Sequence, residues 1–187
     1  MSWDDEHFIG GNVALDFANT VFRRRPRLGN DLFTDTAVLA AWFRHAEVIT
    51  REQERVLCQY GSDAVLTEAR GLRGLLWDLF DARSEGRDLP AAALAAVLDV
   101  AGRGLADRGV AVSAAGSPIV LDPRRSRAAV ALHAVALTLP PDGPPIRTCD
   151  RCGWFFLDSS RGRRRRWCSM RTCGNQAKAA RYRSAHA

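Results

Sequence analysis

Apolar residues recur every three or four positions through most of residues 12–138, a spacing that predicts helices packed on a shared core. In the first predicted helix, residues 12–22, Val13, Phe17 and Val21 form the apolar stripe, and the proline at position 26 prevents its continuation. Further helices are predicted from Thr34 or Asp35 onward and over residues 50–60, 64–83, 91–106 and 123–138.

Several of these helices carry recognisable start signals. Thr50 and Gln53 have the spacing of a capping box, Pro90 precedes the fifth helix, and Asp122-Pro123 combines an N-cap with a proline at the first helical position. Gly71 and Gly74 lie inside the fourth helix, where glycine is unfavourable, so they predict the close approach of a neighbouring helix or ligand.

The period changes to that of strands in two places. Residues 109–113 and 119–121 flank a turn-like Ala-Gly-Ser-Pro sequence and predict a β-hairpin. Residues 154–157 are aromatic and apolar and predict a strand, followed by a turn at 158–162 in which Gly162 is free to take positive φ. Residues 163–167 are predicted as the return strand, and 174–185 as a helix.

Four of the five cysteines fall in this last region, as two close pairs. Two residues separate Cys149 from Cys152, fifteen separate the pairs, and four separate Cys168 from Cys173. This spacing is the sequence form of a structural zinc site, and four thiolates would complete the coordination of one Zn²⁺ ion. Two disulfides are the alternative; the odd cysteine count and the acidic start of the chain, unlike a signal peptide, favour zinc.

A cysteine turn, a hairpin and a helix that begins at the last ligand follow the plan of a treble-clef zinc finger. The predicted fold class is therefore mainly α (α+β), with a helical N-terminal domain that includes a small β-hairpin, and a C-terminal treble-clef-like finger. The proline-rich sequence after residue 139 predicts a stiff linker. We place the helical domain at 1–139, the linker at 140–146 and the finger at 147–187.

Positive charge is concentrated in the finger. Residues 147–187 contain ten arginines and one lysine against two aspartates, a formal charge of +9, whereas the whole chain carries +6, which leaves −3 for the rest. A basic, aromatic-bearing zinc module with a terminal helix is typical of nucleic-acid binding proteins. An arginine-rich genome would explain arginine in place of lysine, but not its confinement to one end.

The predicted nucleic-acid contacts divide into two groups. Phosphate contacts are expected from the arginines of the predicted hairpin and from two on the helix, and base contacts from one helix face whose members are three or four residues apart. The first group is Arg161, Arg163, Arg164, Arg165, Arg166, Arg181 and Arg183; the second is Arg171, Asn175, Lys178 and Tyr182. A helix-capping or turn role is the alternative for Asn175.

The helical domain contains a polar and aromatic set that is a candidate effector site. Its members are Asp16, Asn19, Thr20, Trp42 and Arg73. If they converge in a cleft, the arginine would receive the carboxylate of a small effector. The alternative is a buried ion pair between Asp16 and Arg73, with Asn19 satisfying a turn.

The cysteine motifs resemble the CGNR zinc finger family of bacteria: Cys149-x-x-Cys152, Trp167-Cys168-Ser169-Met170 and Cys173-Gly174-Asn175 match its pattern, although Gln176 stands where the family has arginine. The N-terminal half is similar to the ABATE domain in its Leu15-Asp16-Phe17-x-Asn19-Thr20 core, its Leu-x-x-Trp helix at 39–42 and its Leu-Arg pair at 72–73. The resemblance implies a stress-related transcriptional regulator.

The combined reading is a cytoplasmic, zinc-dependent, DNA-binding transcriptional regulator whose N-terminal domain senses an effector or forms a homodimer. The alternatives are an RNA-binding or ribosome-associated protein and a protein-interaction adaptor. No apolar run reaches the roughly 20 residues that span a bilayer, so no membrane role is expected. The histidines lack metal-ligand spacing, and phosphate loops and nucleophile elbows are absent, so we expect no enzyme activity.

Overall fold

The computed structural model describes residues 2–186, so the first and last residues of the predicted domains, Met1 and Ala187, lie outside it. Within this range the chain forms seven α-helices and two antiparallel hairpins, which confirms the predicted fold class. The elements are α1 (Val13–Ala18), α2 (Thr36–His45), α3 (Arg51–Tyr60), α4 (Asp63–Ser84), α5 (Ala91–Ala106), β1 (Val110–Val112), β2 (Pro118–Val120), α6 (Ser126–Thr138), β3 (Ile146–Thr148), β4 (Phe155–Leu157) and α7 (Asn175–Ala185).

The predicted helix starts are confirmed where a local signal sets them. The Thr50 hydroxyl accepts from the Gln53 amide, and the Gln53 side chain accepts from the Thr50 amide, which completes the capping box of α3. Asp35 caps α2 through the Val38 amide, and α5 begins directly after Pro90. A short 3₁₀ turn, Pro123–Arg125, precedes α6, so the proline opens that turn and not the α-helix itself.

Helix α1 is shorter than predicted, because it ends at Ala18 and not at residue 22. Asn19 is the C-cap residue, and the chain then turns into an extended segment in which Val21 pairs with Asp31. The apolar stripe predicted for this helix is nevertheless in the core: Phe17 is fully buried and Val21 nearly so.

The helical core is built around a cluster of aromatic rings. Trp42 is fully buried, with the rings of Phe17 and Phe33 at centroid distances of 5.2 and 6.0 Å. Helices α5 and α6 approach one another closely at Gly104, where a Cβ would lie 2.2 Å from the Ala128 Cβ. The predicted close approach of a neighbouring helix at residues 71 and 74 is wrong: among residues 2–186, and apart from the flanking residues and the backbone of α4 itself, no atom lies within 4 Å of a Cβ built at either position.

The two hairpins have different surroundings. Strands β1 and β2 pair in the register Val110–Val120 beside α5 and α6. Strand β4 pairs with β3, in the register Ile146–Leu157, and the first cysteine pair lies in the connection between them. The predicted return strand at 163–167 is therefore wrong: this segment is irregular, and Arg163, not Gly162, has the positive φ, at 47°.

The β3–β4 hairpin packs on the helical part of the chain. Phe155 is fully buried, and its ring lies 5.5 Å from that of Phe80 on α4, while Ile146 belongs to the same core. Residues 139–145 connect α6 to this hairpin without helix or strand. The division at residues 139–146 stays a prediction, but the hairpin beyond it contributes side chains to the helical core. Among residues 2–186, no helix has the length and apolar character that a membrane crossing requires.

Candidate zinc centre and nucleic-acid interface

The first cysteine pair lies in a tight turn between β3 and β4, which we call the zinc knuckle (residues 149–153). The Gly153 amide donates to the Cys149 carbonyl at 2.9 Å, and the Cys149 amide donates to the Trp154 carbonyl at 2.8 Å. Gly153 has φ of 76°, a left-handed conformation that glycine adopts without a Cβ penalty. The knuckle therefore turns the chain sharply enough to direct two thiols to one point.

The second cysteine pair is held by a π-helical turn, Met170–Gly174, that leads directly into α7. Ser169 caps this turn by accepting from the Thr172 amide. Cys168 lies just before the turn and Cys173 within it, and both are buried. The start of α7 is thus attached to the same centre as the hairpin.

The four sulfurs form a compact cluster. All lie within 4.8 Å of one another, with Cys152 Sγ at 3.6 Å from Cys168 Sγ and Cys168 Sγ at 3.7 Å from Cys173 Sγ. Zn–S bonds of about 2.3 Å give a tetrahedron with S···S edges of about 3.8 Å, so the spacing fits zinc. All four cysteines are free, so the disulfide alternative does not apply.

The thiol chemistry of the cluster is consistent with a metal ion. The close approach of the four sulfurs lowers the pKa of Cys149 and raises the pKa values of Cys152 and Cys168, because hydrogen bonds among the sulfurs favour one thiolate and disfavour further ones. A thiolate in this position is the form that coordinates zinc. Four sulfur ligands complete the coordination, so the site holds one structural Zn²⁺ ion in Cys149, Cys152, Cys168 and Cys173, and its role is to fix the knuckle to α7.

Two of the arginines predicted to contact nucleic acid also make contacts within the finger. The Arg165 guanidinium lies 4.6 Å over the Phe156 ring and donates to the carbonyls of Trp167 and Cys168. The Arg166 guanidinium donates to the Asp150 carboxylate at 2.7 Å. Both side chains hold the irregular segment 163–167 against the zinc centre.

The remaining predicted nucleic-acid residues are exposed to solvent. No residue of α7 is buried, and Tyr182 is exposed over 66% of its surface. Within the described residues, no carboxylate lies within ion-pair distance of the following exposed cations: Arg161, Arg163, Arg164, Lys178, Arg181 and Arg183. Arg171 has only a 3.4 Å contact with Glu6, between two exposed side chains.

Two side chains near the start of α7 are partly engaged. Asn175 Nδ2 donates to the Arg171 carbonyl at 3.2 Å, the local role that was the alternative to base contact. Gln176, which replaces the arginine of the family pattern, accepts from Arg151 Nε at 2.8 Å. Position 176 therefore orients a guanidinium of the knuckle and does not supply one of its own.

Asn19, one of the predicted effector residues, joins the helical part to the finger. Its Nδ2 donates to the Phe155 carbonyl at 2.8 Å, and its Oδ1 accepts from the Phe155 amide at 2.8 Å. Asn19 is 1% exposed, so this pair of bonds is shielded from water. The alternative in which Asn19 satisfies a local turn is wrong, because its side chain bonds a residue 136 positions away.

Arg24 makes a second connection to the knuckle. Its guanidinium lies 4.2 Å over the Phe155 ring, donates to the Gly153 carbonyl at 3.1 Å and pairs with Asp81 at 2.6 Å. Its backbone amide donates to the Cys152 carbonyl at 2.7 Å. Nothing local in the sequence distinguishes Arg24 from its neighbouring arginines, so no sequence pattern predicted its role.

The other predicted effector residues do not converge on a cleft. Arg73 is buried and pairs with Asp31, with nitrogen–oxygen distances of 2.8 and 2.5 Å, and it also donates to the Thr20 carbonyl. The predicted alternative of an Asp16–Arg73 pair is wrong: Asp16 accepts from the Gly10 amide at 2.7 Å, and burial raises its pKa to about 7. Trp42 packs among aromatic rings of the core.

A cavity of about 470 Å³ lies where the N-terminal segment meets the finger. Its walls include Ile9, Phe22 and Trp154, its polar groups include Arg151 and Gln176, and three of the zinc ligands face it. None of the five predicted effector residues lines it. Sequence spacing gave no indication of this cavity, because its walls come from four separate segments of the chain.

Comparison with known families agrees with this architecture. The model of the CGNR zinc finger family matches residues 146–186, and the ABATE model, described as "Putative stress-induced transcription regulator", matches residues 11–140. A search of curated protein sequences finds no match. The ABATE match covers more than half of the chain, and the four zinc ligands lie inside the CGNR match. The chain therefore belongs to the ABATE family of transcription regulators and carries a CGNR zinc finger.

Proposed function

We propose that this protein is a zinc-dependent DNA-binding transcriptional regulator in which α7 and the arginines around it contact the duplex. The observation that carries the proposal is the exposure of α7: the zinc centre anchors its first turn, and none of its residues is buried. A solvent-exposed helix with several unneutralised cations has no evident role in folding. It has the properties of a surface that binds a polyanion.

The dimensions of α7 support a duplex. Its 11 residues extend about 16 Å, and a helix with its side chains is about 10–12 Å across, which the major groove of B-DNA admits. Lys178 and Tyr182 lie four residues apart on one face, and Asn175 begins that face. The arginines at 161, 163 and 164 extend the positive charge beyond the helix and would contact phosphates.

Replacement of one zinc ligand tests the proposal. We expect Cys168→Ser to lose stoichiometric zinc and DNA binding, because the start of α7 is then no longer fixed to the knuckle, while the helical domain retains its far-UV circular dichroism. Cys58→Ser is the matched control, since Cys58 is an exposed free cysteine outside the cluster. If Cys168→Ser retains both zinc and unchanged binding, the finger is misassigned.

The salt dependence of binding tests the class of partner. Several phosphate contacts predict that log K falls linearly with log salt concentration, with a slope of about −0.9 for each contact. The assay is fluorescence anisotropy with labelled mixed-sequence duplex DNA and, in parallel, single-stranded RNA of the same length. Stronger binding to RNA would favour the RNA-binding alternative. A flat salt response would favour a protein-interaction adaptor. Affinity selection of DNA by the zinc-loaded protein would identify the target sequence.

The cavity beside the finger supports a second role, the binding of a small effector. Its volume of about 470 Å³ is within the range of small-molecule sites. Aromatic walls and the guanidiniums of Arg23 and Arg151 suit a small aromatic acid, and the carboxylates of Asp4 and Glu6 in the same lining restrict it to a single negative charge. Benzoate and 3-phenylpropionate, compared with the neutral amides, would raise the melting temperature and change the fluorescence of Trp154 if they bind. Equal, negligible shifts for acids and amides would contradict this role.

The proposal assigns no catalytic step to the protein. It also retains the expectation of a cytoplasmic location, where thiols remain reduced and available to zinc. Homodimerisation through the helical domain is also part of the proposal, and size-exclusion chromatography with and without a ligand in the cavity measures it directly.

A further inference from the structure

We propose that the helical domain itself supplies part of the DNA-binding surface, through Arg23 and Arg27 of the arginine loop (residues 22–29), which would contact the phosphate backbone beside the site occupied by α7. The proposal rests on the proposed function. It adds a contact region that lies more than 100 residues before the finger in sequence.

The arginine loop lies against the zinc knuckle. Both the Arg24 amide, at 2.7 Å, and the Arg25 amide, at 3.2 Å, donate to the Cys152 carbonyl. A Cβ built on Gly153 would lie 3.0 Å from the Arg24 Cβ and 3.0 Å from the Arg25 Cγ. The loop backbone is therefore in direct contact with the zinc knuckle, and these two hydrogen bonds attach the loop to it.

The four arginines of the loop differ in whether a carboxylate pairs with them. Arg24 is paired with Asp81 and largely buried, and the Arg25 guanidinium is 3.6 Å from the same carboxylate. Arg23 and Arg27 are exposed, and no carboxylate of residues 2–186 lies within 4.0 Å of either guanidinium. The loop thus uses two arginines to attach itself to the protein and leaves two free for a ligand.

The arginine loop and the finger line one shared cavity. Arg23 lines the same cavity as Arg151 of the knuckle and as Thr172 and Gln176 at the start of α7. Arg23 therefore lies beside the turn from which α7 begins, and Arg27 directly follows Pro26, which lines the same cavity. The net charge of the helical domain does not indicate these two free arginines, because the domain as a whole is acidic.

The ligand chemistry follows from the residues. Two exposed guanidiniums without carboxylate partners, fixed beside a cationic helix, suit successive phosphates of a DNA backbone. Contacts on a second element would also set the orientation of α7 relative to the duplex, because phosphate contacts fix position without reading sequence. The arginine loop therefore contributes affinity and orientation, and α7 contributes base contacts.

The test compares two double variants of the full-length, zinc-loaded protein. Arg23→Ala/Arg27→Ala removes the two free charges of the loop. Arg51→Ala/Arg108→Ala removes the same charge from exposed arginines that, among the described residues 2–186, also have no carboxylate within 4.0 Å. Arg51 lies in the groove formed with residues 118–120, to which the finger contributes no residue. Zinc content and melting temperature establish that each variant is folded, and glutamine replaces alanine if either is not.

The readout is the salt dependence of binding to duplex DNA. Loss of two phosphate contacts predicts a slope less negative by about 1.8 and roughly 10- to 60-fold weaker binding near 0.1 M salt. The control variant should retain the slope of the natural protein, with only a small affinity loss from the reduced net charge. Equal slopes for all three proteins would overturn the contact. A natural protein that binds no duplex DNA would refute the proposed function itself, and this contact with it.

Discussion

Replacement of Asn19 by alanine should destabilise the whole protein, because this side chain satisfies two buried backbone groups of β4. Its amide bonds both the amide and the carbonyl of Phe155 at 2.8 Å, and it is 1% exposed. Alanine would leave a buried donor and a buried acceptor without partners, at about 1–3 kcal/mol each. Some relaxation or water entry is expected, so we expect a loss of about 2–5 kcal/mol in the free energy of unfolding.

The measurement is urea unfolding of the zinc-loaded protein, followed by circular dichroism. For a chain of this length the expected loss corresponds to a melting temperature lower by about 4–20 °C. Asn175→Ala is the matched control, because the Asn175 side chain makes one exposed bond to the Arg171 carbonyl at 3.2 Å and should change stability by less than about 0.5 kcal/mol. A loss below 1 kcal/mol for Asn19→Ala would refute the reasoning that this amide couples β4 to the helical core.

Three further substitutions test other contacts. Asp16→Asn should stabilise the protein by on the order of 2 kcal/mol at pH 8 and by much less at pH 4. In the natural protein the folded-state pKa of Asp16 is raised to about 7, so the folded form binds more protons than the unfolded form between about pH 4 and 7. The stability of the natural protein therefore falls as pH rises through that window, whereas the asparagine variant does not titrate there. Urea unfolding at several pH values measures this. Arg73→Met should cost about 2–4 kcal/mol in the same assay, because it leaves the Asp31 carboxylate and the Thr20 carbonyl without their buried donor. Gly153→Ala should lower the melting temperature and slow zinc uptake, since the left-handed φ of 76° costs about 1–3 kcal/mol for alanine and its Cβ would press on the Arg24 Cβ.

Each of these substitutions has an outcome that contradicts its premise. A constant difference between Asp16→Asn and the natural protein from pH 4 to 8 would mean that Asp16 does not titrate in this range. Equal losses for Arg73→Met and for Arg70→Met, whose guanidinium is more exposed, would mean that burial does not strengthen the Arg73–Asp31 pair. Unchanged zinc uptake by Gly153→Ala would mean that the knuckle adapts without strain.

Much of the fold could be predicted because local signals set it. The capping box at Thr50, the proline before α5 and the cysteine spacing act over a few residues or through a single metal ion, so the sequence alone locates them. Charge segregation likewise marked the exposed finger, because an uneven distribution of arginine is visible without coordinates.

The errors arose where distant residues decide the structure. Residues 19–22 continue the helical pattern of α1, but Asn19 leaves the helix and bonds β4, 136 positions later. Residues 163–167 were predicted to pair with β4, whereas β3 occupies that edge. Arg73 was expected to contact Asp16 or an effector carboxylate, yet Asp31, in an irregular segment without periodicity, provides its partner.

The burial of Phe155 in the helical core has a consequence for building chimaeras. If a finger from another protein is fused to this ABATE domain after residue 140, the foreign finger must supply an aromatic side chain of similar shape against Phe80. Without it, a cavity remains in the helical core. The fusion point for such a chimaera is therefore better placed after β4. The β3–β4 hairpin then stays with its own helical domain, and only the segment after β4 and the terminal helix come from the other protein.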